Sequence, residues 1–389
     1  MLTPVPAHAT TAIDIASLLQ KRVTAVVEHD ENAFMATVDP TASDAFKAEQ
    51  RNRYLGLQSL PLVDYKLAST EVDSGDLSSG LDLDDKYGTH TYMPETRESF
   101  RLGDYDDHAM RNTFWYTYVQ RNGQWYFSAL HDGDAIGLES TPNIWDDGAL
   151  ATESTEHFLV LTAIGQEARA KSIASIAERA MTQFQSEWTL PWSQKLPIIV
   201  PSSPEQAAKL LRTSDEVENF SAFTSYTPVR DNGWEASPPR LFAEEDNFAN
   251  ASAESQIGTI VHELTHAATA PFTGPNTPIW VQEGLAEWIR LDKPTSVSLR
   301  NGATTTLPSG VAFRTSDAAA LSRAYNEATV AMAFLASTKG PDVPVQLVQE
   351  AGKRKVVIGS PSYNADAALK EATGWSTQEF LAAWGRANN

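Results

Sequence analysis

The sequence predicts an α+β fold in two domains, an α+β unit first and a mainly helical domain with a small sheet second. Three observations predict it. Early residues repeat apolar positions with a helical period, then switch to period two before a strong hairpin signal. Later residues alternate short apolar runs with long amphipathic stretches. The 389 residues exceed one ordinary domain, and 42% hydrophobic content with 10 Trp, 11 Tyr and 15 Phe can fill two cores. The expected boundaries are a flexible leader at 1–11, a first domain at 12–140 and a second at 141–389.

The leader, Met1 to Thr11, holds Pro4, Pro6 and small residues and has no apolar signal core. It reads as the stub of a removed signal or lipoprotein segment, which would place the protein outside the cytoplasm, secreted or lipid-anchored at the surface. Residues 12–29 then form an amphipathic helix with Ile13, Ile15, Leu18, Leu19 and Val23 on one side. A short helix near 33–38 ends at Asp39-Pro40, and another spans about 43–57. The period changes at Val63, with strands expected at 63–72, 87–93 and 97–102. Asp82, Asp84 and Asp85 lie in a Gly/Ser/Asp-rich stretch without a calcium-loop spacing, so they read as a solvated loop. Thr113 to Ser128 is the clearest hairpin, two aromatic and β-branched runs flanking Asn122-Gly123.

This order, helices and then a meander closing on the "NGQWYFSAL" strand, resembles the NTF2-like (SnoaL-like) cone over about residues 10–140. The resemblance implies a curved sheet wrapped around a long helix. Such cones hold small ligands or active sites, for which His90, His108 and His131 are the candidates. Each also reads as an ordinary surface polar residue.

Residues 139–150 carry turn residues and no period, so the domain boundary falls there. Glu156–Leu161 reads as a buried strand, with His157 a polar residue at its start. A helix follows at 167–188, then a strand at Leu196–Val200. Ser203 and Pro204 suit the cap and first position of another helix. Residues 213–239 are a poorly specified polar loop with one strand at 221–227, and Arg240–Ala243 is strand-like. A helix at about 253–268, capped by Ser252, is followed by one capped by Thr277 with Pro278 in its first turn. After a polar stretch at 291–316, helices are expected at 318–337, 343–351, 362–371 and 377–387.

Composition narrows the function. A net charge of −20 without a basic run argues against nucleic-acid partners. With no cysteine, a metal site must use histidine and carboxylate. No apolar run reaches the ~20 residues of a membrane-spanning helix.

One pattern carries chemistry. His262-Glu263-Leu264-Thr265-His266 lies in the apolar 253–268 run. Helical geometry puts the two histidines on one face, about 6 Å apart along the axis, where both imidazoles reach one ion. Glu263 can then serve as base for an activated water. A third ligand is needed, and Glu283 on the next helix is the candidate. Glu287, one turn on, could orient a ligand histidine through its free N–H.

His262-Glu-Leu-Thr-His266 followed by Trp280-Val-Gln-Glu-Gly-Leu-Ala-Glu287 resembles the gluzincins, the peptidase MA-like zinc metallopeptidases. The sixteen-residue gap between His266 and Glu283 is slightly shorter than in the thermolysin-like and aminopeptidase branches. The strand at 196–200, the helix at 318–337 and the closing "ALKEATGWSTQEFLAAW" are similar to uncharacterised bacterial, often actinobacterial, secreted proteins that join the two domain types. The resemblance implies Zn²⁺ held by His262, His266 and Glu283, with Glu263 as general base in hydrolysis of a peptide or protein substrate. It further implies an oxyanion donor from a later helix, for which Tyr325 is the candidate. Tyr325 also fits a core stripe with Leu321, Ala328, Met332 and Leu335, the more ordinary role for a tyrosine so placed. In the family an edge strand before the zinc helix aligns peptides, and Arg240–Ala243 is the candidate.

Two other readings remain open. A binding or scaffold protein would keep the metal for structure and use the first domain for its ligand. A small-molecule enzyme would place a deep polar pocket in the cone. The substrate, endo- or exopeptidase character and oligomeric state have no signature in the sequence.

Overall fold

A computed structural model describes residues 7–70, 77–212, 221–226, 228–229, 235–274, 277–300, 302–353 and 361–387. The chain has an α+β fold in two compact units. One comprises residues up to Thr152 together with 161–167, and the other 153–160 together with 168 onward.

The first unit begins with α1 (Ala7–Val27), α2 (Glu31–Met35) and α3 (Asp44–Gln58). Helix α1 starts five residues before the expected position, so 7–11 are helical rather than a leader. Nothing after Pro6 interrupts a helix until the chain turns at His29. The earlier leader residues, 1–6, lie outside the described residues. Asp30 caps α2 and Ser43 caps α3, each accepting a bond from a backbone N–H three residues on.

The strands are β1 (Leu62–Thr70), β2 (Thr91–Tyr92), β3 (Glu95–Leu102), β4 (Met110–Phe114), β5 (Thr117–Arg121) and β6 (Gln124–Ala129), with a short helix α4 (Leu83–Tyr87) before β2. They form two antiparallel three-stranded sheets, β1-β3-β4 and β2-β5-β6. The strand expected at 87–93 shrinks to two residues, because Leu83–Tyr87 winds into α4 and Gly88 ends it at φ +61°. The end of the strand expected at 63–72 falls outside the described residues. Asn122 and Gly123 turn the β5–β6 hairpin with φ of +51° and +76°, the doubly positive pair a tight hairpin requires.

Ile15, Leu18 and Leu19 of α1 pack into a core with Phe114, Tyr116, Tyr118 and Phe127. Arg22 is buried among them, its guanidinium 3.9 Å from the Phe34 ring centre and 4.0 Å from that of Phe127. A second buried charge, Arg53, pairs with Glu98 and Asp146. Ile144 and Trp145, inside the stretch read as a boundary, are buried. The backbone carbonyl of Trp145 lies so near Gly56 of α3 that a Cβ there would collide with it.

The remaining strands are β7 (Leu150–Ser154), β8 (Phe158–Ala163), β9 (Leu196–Ile199), β10 (Ala222–Ser225), β11 (Pro228–Val229), β12 (Glu235–Ala236) and β13 (Arg240–Ala243). One five-stranded sheet has the order β10-β13-β9-β8-β7, with β13 parallel to β9 and antiparallel to β10. The helices of this part of the chain are α5 (Glu167–Glu187), α6 (Pro204–Leu211), α7 (Glu245–Asn250), α8 (Ala253–Thr269), α9 (Ile279–Arg290), α10 (Ala318–Lys339), α11 (Val343–Lys353), α12 (Pro361–Thr373) and α13 (Thr377–Ala387). The core of the second unit joins Val160, Ile198 and Leu241 from the sheet to Phe184, Leu264, Trp288, Met332 and Trp384 from the helices. No strand forms between 291 and 316 among the described residues. Much of the loop expected at 213–239 lies outside them. No described helix is long and apolar enough to cross a membrane.

Candidate metal centre

Helix α8 forms because Ser252 caps it and an unbroken apolar stripe, Ile260, Val261, Leu264 and Ala268, buries one side. His262 and His266 stand one turn apart beside that stripe. Helix α9 then packs against α8, with Trp280, Val281, Leu285 and Ile289 buried in the same core as Ile260, Val261 and Leu264. Thr277 does not cap α9. Pro278 takes that position, and the Thr277 hydroxyl accepts instead from the Gly274 N–H at 2.9 Å, tightening the loop.

This packing brings His262, His266 and Glu283 together. Their nearest ligand atoms are 3.1 Å apart for His262 Nε2 and Glu283 Oε2, 3.1 Å for the two histidine Nε2 atoms, and 3.5 Å for His266 and Glu283. A tetrahedral ion with bonds of about 2.1 Å holds its ligands about 3.4 Å apart. The triangle therefore fits such an ion, and among the described residues it is the only acid–histidine cluster of its kind.

The electrostatics favour positive charge at this place. Burial alone would lower the His262 pKa, but bonds to Glu283 and Glu287 outweigh it and hold it well above the ordinary value. Burial alone would raise Glu283, yet His266 and His262 leave it well below the usual carboxylate range. Glu287 is likewise held at about 2 against burial, by its bond to His262 and by Arg290.

Glu287 Oε1 meets His262 Nδ1 at 2.8 Å, so Nδ1 donates and Nε2 is turned toward the cluster. Arg290 grips the same carboxylate twice, at 2.8 Å and 2.6 Å. Glu263 is buried, and its Oε2 has no hydrogen-bond partner among the described residues. A buried carboxylate oxygen without a donor is costly in a finished protein and marks a place for one.

Tyr325 of α10 lines the same cleft, its ring centre 6.1 Å from that of His262 and 5.3 Å from that of Phe313. Burial first, then the carboxylates of Glu283, Glu263 and Glu287, push its phenol far up, so it keeps its proton and can donate. Gly284 permits this geometry: a Cβ there would stand 2.8 Å from the Ala328 carbonyl of α10.

The cleft holds about 330 Å³. One wall is β10, which corrects the expectation for Arg240–Ala243. That strand, β13, has neighbours on both sides, and β10 is the edge. Thr224 of β10 donates to the Glu263 carbonyl at 3.0 Å. Tyr226 and Gln282 also line the cleft, and sequence reading did not single them out. Gln282 sits inside the Trp280–Glu287 stretch without an assigned role, Tyr226 follows β10 outside any motif, and the Tyr226 hydroxyl donates to Gln282 Oε1 at 3.4 Å.

Among the described residues, His90, His108, His131 and His157 do not join a metal-capable cluster. His90, His108 and His131 are exposed and each faces a neighbouring aspartate. His157 bonds Glu178 at 2.7 Å. Asp84 accepts from the N–H and hydroxyl of Thr91, both at 2.6 Å, and so holds the start of β2.

No protein-family model matches this chain, and no curated protein matches it either. Its functional reading therefore rests on the geometry of His262, Glu263, His266, Glu283 and Tyr325.

Proposed function

We propose that the second unit is a gluzincin-like zinc peptidase and that the first is an NTF2-like domain. The observation that carries the reading is a buried Glu263 Oε2 with no hydrogen-bond partner among the described residues, beside a three-donor triangle, His262, His266 and Glu283, in an open cleft. A purely structural metal site would be closed and would not need that carboxylate.

Zinc, once held by the three donors, would acidify a water and polarise a peptide carbonyl. The chain supplies the rest. A peptide extends the sheet at the edge of β10 that is unpaired among the described residues, its backbone pairing with residues 222–225. Glu263 Oε2 takes the proton of the attacking water and passes it to the amine that leaves as the C–N bond breaks. The Tyr325 phenol donates a hydrogen bond to the carbonyl oxygen as negative charge develops there. Glu287 holds His262 in the tautomer that presents Nε2, and Arg290 holds Glu287.

The test is cleavage of a broad peptide library by zinc-loaded protein. Glu263→Gln should retain zinc and lose about 10²–10⁴ in rate. Zinc binding with no cleavage of any peptide by the wild type would instead favour the binding or scaffold reading.

A further inference from the structure

A second cavity, of about 530 Å³, lies between the end of α9, residues 294–300 and the first half of α10. Tyr325 lines both this cavity and the metal cleft. The size is that of a small-ligand site.

The cavity is built rather than incidental. Its outer wall is fastened at three points. Trp288 Nε1 donates to the Pro294 carbonyl at 2.9 Å, the Arg300 N–H donates to Asn326 Oδ1 at 2.8 Å, and Asn326 Nδ2 donates to the Ser298 carbonyl at 3.2 Å. Val297 and Leu299 anchor the same segment on the core.

The charges in this cavity are distinctive. Arg290 is committed to Glu287. Arg300 is exposed, and no ion pair forms on its guanidinium among the described residues. In a chain of net charge −20, one uncommitted guanidinium in a cavity also lined by Ser296 and Ser298 selects an anion. Glu287 and Arg290 offset each other within the lining, so Arg300 leaves one positive charge, which a monoanion such as a carboxylate matches.

We propose that this cavity is a subsite for a carboxylate-bearing side chain, aspartate or glutamate, of a residue close to the bond that the metal cleft acts on. The carboxylate pairs with Arg300, and the serine hydroxyls complete its hydrogen bonds. The role in substrate choice rests on the peptidase reading above, whereas the binding itself does not.

The probe is acetyl-glutamate amide, compared with acetyl-glutamine amide, which has the same shape without the charge. Binding is measured by calorimetry on the full chain carrying Glu263→Gln, so that no turnover is required. The acidic probe should bind at least tenfold more tightly, and Arg300→Gln, an exposed substitution that leaves the core intact, should abolish the difference. Equal binding of the two probes, or a preference that survives Arg300→Gln, overturns the proposal. Absence of peptide cleavage by the wild type, measured separately, counts against the peptidase reading and not against the subsite. If both hold, Arg300→Gln should also cut kcat/KM tenfold for acidic peptides and leave it unchanged for their amide counterparts.

Discussion

Glu287 and His262 lie 25 positions apart, yet Oε1 of the one is 2.8 Å from Nδ1 of the other, and Arg290 donates to both oxygens of the same carboxylate. The contact fixes both the ring orientation and the tautomer of a candidate ligand. Glu287→Gln should therefore weaken zinc binding by about 10–100-fold while leaving all three donor residues in place. Competition against a chromophoric chelator reads this directly, and unchanged affinity would mean that Glu287 serves only Arg290.

Helix α9 reaches α10 through Gly284, where a methyl group would stand 2.8 Å from a backbone carbonyl that cannot yield cheaply. Gly284→Ala should destabilise the second unit by about 1–3 kcal/mol. It should also loosen zinc, because Glu283 is the neighbouring residue on the displaced helix. Thermal unfolding with and without zinc separates the two effects. A variant as stable as wild type would show that α9 and α10 have slack at this contact.

Tyr325 lies in a helical stripe and also lines the cleft. Tyr325→Phe keeps the ring and removes the donor. If the phenol stabilises developing charge, kcat should fall by about 10²–10³ with KM little changed. If the residue is only packing, activity and stability should both survive.

Much of this arrangement is legible from local pattern. The tight β5–β6 turn follows from Asn122-Gly123, and the shared face of His262 and His266 follows from helical spacing. What escaped reading depends on distant partners. Arg53, Glu98 and Asp146 form a buried network across 93 positions, and no periodicity announces it. The edge position of β10 depends on β13 pairing on its other side with β9, more than 40 residues earlier. Thr277 leaves the cap position to Pro278 because its hydroxyl is taken by the Gly274 N–H, a contact no local pattern marks. The Arg300 cavity has no motif, since its walls come from one helix end, one loop and the face of a second helix.

In the first unit, His131 is hydrogen-bonded to Glu49 and Asp134, and these bonds outweigh partial burial and raise its pKa from 6.5 to about 9. A raised folded value means stability that is complete below about 6.5 and lost as pH climbs through about 9. His131→Gln should lower the Tm at pH 6 and leave it unchanged at pH 10. Because the ring is largely exposed, the effect at pH 6 should be small, and an equal loss at both pH values would refute the ion-pair account.

The central claim is that His262, His266 and Glu283 hold one zinc ion. Anomalous diffraction from crystals grown with zinc, collected on both sides of the zinc absorption edge, tests it most directly. One strong peak is expected per chain, about 2.0–2.2 Å from Nε2 of both histidines and from a carboxylate oxygen of Glu283. No peak within the triangle, or a peak bound by the histidines with Glu283 turned away, would contradict it.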